Sequence, residues 1–412
     1  MVNSRKIIGI LIILATLTIC LNPICGADWT MFQNDVAHSG YVNEDSNHVV
    51  NLWTNNMGSS ISSTPLIHDE VLYVISENGL LKAINMENGS EKWSYDFHSK
   101  VTASPIIENN TLYVGADDGN MYAFNVDDYK VKWQFSTSKP IESTASIVDG
   151  IIYFGSNNGH VYGLNANDGS VKWDAQLGGK IKSSPTVENN SLYIGSTNGK
   201  IYSLDVANGN ERWSYTTGDE VISSPAYGDN KIAVGSSDNT LYVLNSNDGS
   251  LVWKQGMENT IISSPSIDLH DNNVFIGSNS GNITCFDLRD GTFKWSYKTG
   301  APVQSSPALI NEKLVVGSND GTGYILNKYT GDVDFSYNPG VYLFNSPITA
   351  SPVIYGNSLI LAGHDGYVYA LNLDKNEAPG SIFVYYTIAI LIVVCIVLVA
   401  VIKLAKRSKK KK

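Results

Sequence analysis

Few side chains in this sequence could do chemistry, and their spacing argues against most of it. Seven histidines stand at positions 38, 48, 68, 98, 160, 270 and 364. None has a second histidine four residues away or a cysteine companion, the arrangements that grip zinc. Cys285 is the only cysteine between the two apolar ends of the chain, so no disulfide is available there. Arg212 and Arg289 are the only arginines in the same stretch, each beside a turn glycine. No serine sits in Gly-x-Ser-x-Gly and no glycine-rich loop opens a helix, so neither an acyl-transfer nucleophile nor a phosphate cradle is present. The many Asn-Gly and Asp-Gly pairs lack the ligand spacing of a calcium loop and read as turns. Two charged residues do attract notice, Glu142 and Lys182, which occupy the same position in adjacent repeats. They predict an ion pair or, together with Gln304, part of a polar pocket for a small ligand or a partner's side chain. Asn88, Asn109, Asn189 and Asn282 each head an Asn-x-Ser/Thr sequon and are candidate glycosylation sites. No catalytic residue and no metal ligand is assigned.

The elements that must carry these residues are set by a repeat. Tryptophan recurs at 53, 93, 133, 173, 213, 253 and 295, and Phe335 follows 40 residues after the last. A period near 40 marks a propeller or a solenoid. Each unit contains four short runs of strand-forming residues, as in 181–187, 192–196, 200–205 and 211–215. The first run is rich in Ser, Thr and Ala and occurs eight times, beginning at Ile61, Val101, Ile141, Ile181, Val221, Ile261, Val303 and Ile348. Small side chains suit a position where eight strands converge on an axis, and a proline at the end of the run suits an edge facing a channel. Glycines at 115, 155, 195, 235, 277, 317 and 363 are expected where neighbouring units approach closely.

The first tryptophan has no upstream runs of its own, and the last unit ends at Asn372 with no tryptophan run after it. The two fragments complement each other. An all-β, eight-bladed propeller of four-stranded blades is therefore predicted, closed by the N-terminal strand, with no exposed sheet edge. Burying one indole removes about 150–250 Å² from water, roughly 4–6 kcal/mol gross and an upper bound.

The segment Ala83-Ile-Asn-Met-Glu-Asn-Gly-Ser-Glu-Lys-Trp93 resembles the tryptophan-docking motif of the quinoprotein (PQQ-like) β-propellers, and 163–173, 203–213, 243–253 and 285–295 repeat it. The lead-in from Trp29 to Tyr41 is similar to that of secreted members. Asp128-Tyr129 in place of the turn glycine, Ala145 in place of proline and Phe335 in place of tryptophan depart from the pattern and predict irregular blades. The resemblance implies either a non-enzymatic assembly propeller of the BamB type or a dehydrogenase using PQQ with calcium. The enzymes hold that tricarboxylate with arginine, and often with an adjacent cysteine pair. The arginines and lone cysteine here favour the first reading, with no cofactor.

The ends supply addresses. Arg5 and Lys6 precede an apolar run to Leu21 and the small residues Gly26 and Ala27, which predicts a signal peptide over 1–27, with lipidation at Cys25 as the alternative. Residues 382–402 carry no charge and at about 1.5 Å per residue cover roughly 30 Å, a bilayer core. The basic run 403–412 then places the C-terminus in the cytoplasm. The domain order is signal peptide 1–27, propeller 28–377, linker 378–381, transmembrane helix 382–402 and tail 403–412. Residues 28–381 carry 19 basic and 39 acidic side chains, an excess that repels a phosphate backbone and excludes nucleic acid as a partner. The resulting expectation is a single-pass, membrane-tethered propeller outside the cytoplasm that binds or scaffolds an extracytoplasmic protein or envelope component.

Overall fold

The computed structural model describes residues 41–42, 50–339 and 346–373. The expected signal peptide, linker, membrane helix and basic tail lie outside the described residues, as do residues 340–345. Those described form eight sheets, each with four antiparallel strands running from inner to outer, in chain order in blades 1–7. Blade 1 spans residues 66–96, blade 2 106–136, blade 3 146–176, blade 4 186–216, blade 5 226–256, blade 6 266–298 and blade 7 308–337. Blade 8 takes its first three strands from 353–372 and its outer strand from Val50–Asn56, with Trp53 opposite Ala370. The predicted closure is thus observed. Among the described residues no helix is long and apolar enough to cross a membrane.

Antiparallel order puts the inner–second and third–outer turns at one end of every blade, called the lower face here. The second–third turns and the blade-to-blade connections lie at the other end, the upper face. Each outer strand carries a bulge one residue before its aromatic, at Lys172 before Trp173 for example, which adds local twist. The indole then faces the next blade. Trp53 Nε1 donates to the Met86 carbonyl (2.8 Å), Trp173 to Val206 (2.8 Å), Trp213 to Ser246 (2.9 Å) and Trp295 to Lys328 (2.9 Å). Each ring is also covered by a turn glycine of that next blade. A Cβ on Gly209 would sit 2.5 Å from the Trp173 ring, and Gly209 has φ +74°. No other residue fits both the space and the dihedral.

The departures from the repeat have local consequences. Tyr129 adopts φ 60° where glycine stands elsewhere, and its ring meets Trp93 with centroids 4.9 Å apart. Trp93 is half-buried, as is Trp133 beneath Gly169, whereas Trp173 is buried. Phe335 is also half-buried, and it faces blade 8, whose third and outer strands come from opposite ends of the chain. No third–outer turn covers it among the described residues. Ala145, by contrast, leaves blade 3 regular, with Ser146 opposite Tyr153.

Three expectations need correction. The inner strand pairs over three residues only, Thr186–Glu188 in blade 4, because the proline and hydroxyl residues before it bond between blades rather than within the ladder. The close-approach position of blade 8 is Ala362 and not Gly363, since Ala362 pairs with Val368 as Gly155 pairs with Val161. The inner edge of blade 7 does not face an empty channel, because Tyr41–Val42 pairs with it in parallel as a fifth strand. The remaining glycines behave as expected, a Cβ on Gly155 falling 2.1 Å from an Ile181 methyl.

One buried charged group breaks the repeat. Lys328 stands where other blades have Val126, Ala166 or Leu288, and its Nζ lies 2.6 Å from Asp268 and 2.9 Å from Asp271 of blade 6. Lys328 and Asp268 are 3% and 2% exposed. Burial opposes the charge, but the two carboxylates more than offset it and hold the ammonium above the ordinary lysine range. Burial likewise works against Asp271, yet Lys328 and His270 lower it to about 2.

Three outcomes follow from this architecture. Trp53→Ala should cost about 3–5 kcal/mol, and deleting residues 28–56 should lower the melting temperature of the full chain sharply, while deleting 403–412 leaves it unchanged. Lys328→Val should cost about 3–5 kcal/mol in urea unfolding because it strands a buried carboxylate, and adding Asp268→Val should recover most of that loss. The share of stability owed to Asp271 is complete above its unfolded value near 3.9 and disappears as pH falls through its folded value. Urea midpoints measured from pH 5 down to pH 2 should therefore fall more steeply in the wild type than in Asp271→Asn.

Candidate functional site

The inner runs meet around the axis through hydroxyl groups. The Thr64 amide donates to Ser104 Oγ (2.8 Å), Ser104 to Thr144 Oγ1 (3.0 Å), Thr144 to Ser184 (3.1 Å) and Ser184 to Ser224 (2.9 Å). Ser224 donates to Ser264 (2.9 Å), Ser264 to Ser306 (3.0 Å), Ser306 to Ser351 (3.2 Å) and Ser351 back to Thr64 Oγ1 (3.3 Å). The circle is complete. Sequence reasoning assigned these hydroxyls to crowding, although a Ser or Thr at the same place in all eight repeats was the available signal.

Two residues above this ring, the second position of each inner run lines the upper mouth of the axis: Ser62, Thr102, Glu142, Lys182, Ile222, Ile262, Gln304 and Thr349, all half-buried. A second set comes from the upper turns, and each turn is tied down by its backbone, as in Asp117 N–H to Lys100 O (2.9 Å) and Asn157 N–H to Pro140 O (2.9 Å). Glu142 and Lys182 are brought together at 2.9 Å, and the Asn157 amide donates to the other Glu142 oxygen at 2.6 Å. Burial works to raise the Glu142 pKa, but Asn157 and Lys182 prevail and hold it below the usual carboxylate range. Asp117 moves the other way, raised first by burial and then by the charge of Glu142. Lys100 pairs with Glu77 at 3.3 Å.

The mouth is therefore graded. Blades 1–4 present the charged string Glu77, Lys100, Asp117, Glu142 and Lys182; blades 5 and 6 present Ile222 and Ile262. Blades 7 and 8 present neutral pairs, with Gln304 donating to Asn279 (3.0 Å) and Thr349 bonded to His364 (2.8 Å). Gln304 is thus on the mouth with Glu142 and Lys182 but separated from Lys182 by the two aliphatic blades. Ser62 Oγ, Thr102 Oγ1, Asp117 Oδ1, Asn157 Oδ1 and Asn319 Oδ1 are buried here without a hydrogen-bond partner. Buried polar atoms left unpaired are costly, and five of them gather at this one mouth. Glu77, Lys100, Asp117, Asn157 and Asn319 were missed in the sequence. Aligning the upper turns two residues after the close-approach glycine would have found the last three.

The other expected sites lie elsewhere. Asn88 is exposed on a third–outer turn, Asn109 and Asn189 are exposed on inner–second turns, and Asn282 is half-buried on an upper turn with its amide 3.3 Å from Glu258. Cys285 is buried inside blade 6, and burial pushes its thiol up to about 12. Arg212 and Arg289 pair with Asp205 and Asp287 beside the lower turns, at 2.7 and 2.6 Å.

Residues 151–389 match the family model described as beta-alanine-activating enzyme, beta-propeller, over more than half of the chain. The chain belongs to this propeller family. Residues 50–184 match the model described as outer membrane protein assembly factor BamB, which places the propeller in the PQQ-like superfamily. No curated protein matches the sequence. Among solved structures, BamB from Moraxella catarrhalis is similar over 79% of this chain and all of its own, with TM-score 0.68 and 18% identity. A europium-containing methanol dehydrogenase is similar over 84% of this chain and 98% of its own, with TM-score 0.74 and 13% identity. The quinohemoprotein alcohol dehydrogenase of Comamonas testosteroni gives TM-score 0.72 at 15% identity, over 85% of this chain and 81% of its own. These likenesses concern the fold.

The donor set of the mouth of this PQQ-like propeller does not fit a tricarboxylate quinone. Both arginines among the described residues are on the lower side, and Lys100 and Lys182 at the mouth are already paired with carboxylates. Among the described residues no group of three or more acidic, His or Cys side chains could hold a metal ion. Because Glu142 raises Asp117, carbon-13 titration of the Asp117 carboxyl should shift toward the ordinary aspartate range in Glu142→Gln; an unchanged midpoint would mean burial alone sets it.

Proposed function

We propose that this chain is a non-catalytic, membrane-tethered propeller outside the cytoplasm whose upper mouth binds an extracytoplasmic protein or envelope component. The observation that carries this reading is a mouth that grades from the charged string Glu77, Lys100, Asp117, Glu142 and Lys182 to the half-buried Ile222 and Ile262. Such a surface supplies polar specificity on one side and an apolar contact on the other, as partner-binding patches do. The family match to BamB supports a protein partner. The sequence supports the tether, through the uncharged run 382–402 and the lysines that follow.

A photo-crosslinking side chain at position 222 of the full chain in native membranes should capture a defined protein, and Glu142→Lys should reduce the yield roughly tenfold, or about 1.4 kcal/mol. The same crosslinker at position 52, on the outer strand, should not capture it. Equal capture at both positions would remove the mouth from the argument. The likeness to quinoprotein dehydrogenases favours one rival, oxidation of an alcohol or sugar with PQQ and calcium. Dye reduction by the purified chain after adding both would replace the proposed function with that one.

A further inference from the structure

The lower face carries an unexplained apolar patch. Nine large apolar side chains are exposed among the described residues, and six of them, Leu251, Val252, Leu269, Phe293, Tyr329 and Val333, fall on blades 5, 6 and 7. Phe293 and Leu269 are 59% and 56% exposed. All six lie on a lower turn or at the start of an outer strand, beside the lower end of the blades. They are also adjacent across blades. The turn glycine Gly291 of blade 6 packs on Trp253, next to Leu251 and Val252, and Gly331 of blade 7 packs on Trp295, next to Phe293.

The centre of the patch is held rigidly. The 42-residue spacing between Trp253 and Trp295 lengthens the inner–second turn of blade 6, which presents Leu269 between Asp268 and Asp271. Both carboxylates are clamped by Lys328, the residue before Tyr329, and the Lys328 ammonium lies 5.1 Å from the Tyr329 ring. Two further carboxylates beside the patch are paired, Asp287 with Arg289 and Lys294 and Asp334 with Lys313, while Asp248, Asp290 and Asp332 ring it on the lower turns. An exposed apolar cluster seated on a paired, buried charge cluster is suited to a medium poorer in water than bulk solvent, with the surrounding acidic side chains left at its rim.

The course of the chain says which medium. The Leu373 amide donates to the Asn357 carbonyl (2.7 Å) in the inner–second turn of blade 8, so the chain leaves the propeller at the lower face, one blade from the patch. Eight residues, 374–381, precede the uncharged run 382–402, and fully extended they reach at most about 29 Å. We propose that the lower face of blades 5–7 rests on the lipid surface, with Leu269, Phe293 and Tyr329 entering the headgroup boundary and the upper mouth turned away from the membrane. This deepens the proposed function and rests on the tether it assumes.

The test uses the full chain reconstituted into phosphatidylcholine vesicles, with an environment-sensitive dye on Leu269→Cys, Phe293→Cys or, at the upper mouth, Thr197→Cys. Interfacial residues enter by about 5–10 Å, so lipids brominated near the headgroup should quench the first two dyes roughly twofold or more and leave the third unchanged. Vesicle flotation is measured on the same samples. A protein that does not float loses the tether and the proposal together. One that floats with equal or absent quenching at all three positions loses the proposal alone. Dye-to-dye energy transfer at position 269 that rises with protein density, without quenching by lipid, would assign the patch to a second copy and overturn the lipid contact.

Discussion

Everything in this molecule hangs on a small circle of hydroxyl groups. Eight blades meet at the axis, and there the backbone amide of each inner run has no ladder partner, because its neighbour is another blade and not another strand of the same sheet. A serine or threonine from the next blade accepts each amide, from Thr64 through Ser351 and back to Thr64. Buried amides must be satisfied, and a short hydroxyl is the only side chain that can do this without occupying the space where the runs converge. The choice of residue at the axis is therefore a hydrogen-bonding requirement as much as a steric one.

At the periphery the same problem is solved differently. Large indoles fill the widening wedge between blades, each anchored by its N–H to a carbonyl of the next blade and covered by a glycine turn. The repeat tolerates loss of either partner at a local cost. Tyr129 covers the Trp93 indole with its own ring in place of a glycine turn, and the strand registers are kept, with Trp93 opposite Ala83 and Trp133 opposite Ala123. Axis and rim together leave the two faces free to vary, so the charged sector of the mouth and the Lys328 cluster could diverge on an unchanged frame.

Much of the frame was legible in the sequence because each feature recurs at a fixed period, and eight copies average out local noise. The tryptophans, the close-approach glycines and the borrowed outer strand were all readable this way. The hydroxyl circle was visible as a pattern but not as a function, since spacing shows which residues are equivalent and not which way a hydroxyl points. Glu142 and Lys182 were found because they interrupt a row of small residues. Asp117 and Asn157 were not, because they sit in turns where Asp and Asn are ordinary. Lys328 was equally silent, for its partners lie about 60 residues earlier in a turn of altered length.

The strand borrowed by blade 8 carries a consequence for how the chain is made. Asn51 pairs with Leu371, so the final sheet joins residues about as distant in the chain as the domain allows. Contacts of that separation form late, since loop closure must precede them. A nascent chain emerging from its N-terminus would present the lone strand first and hold it without a mate until blade 8 emerged. Throughout that interval its edge is an open template for pairing with any passing chain. An order of synthesis that delivers the keystone before the arch leaves that edge uncovered for almost the whole of translation.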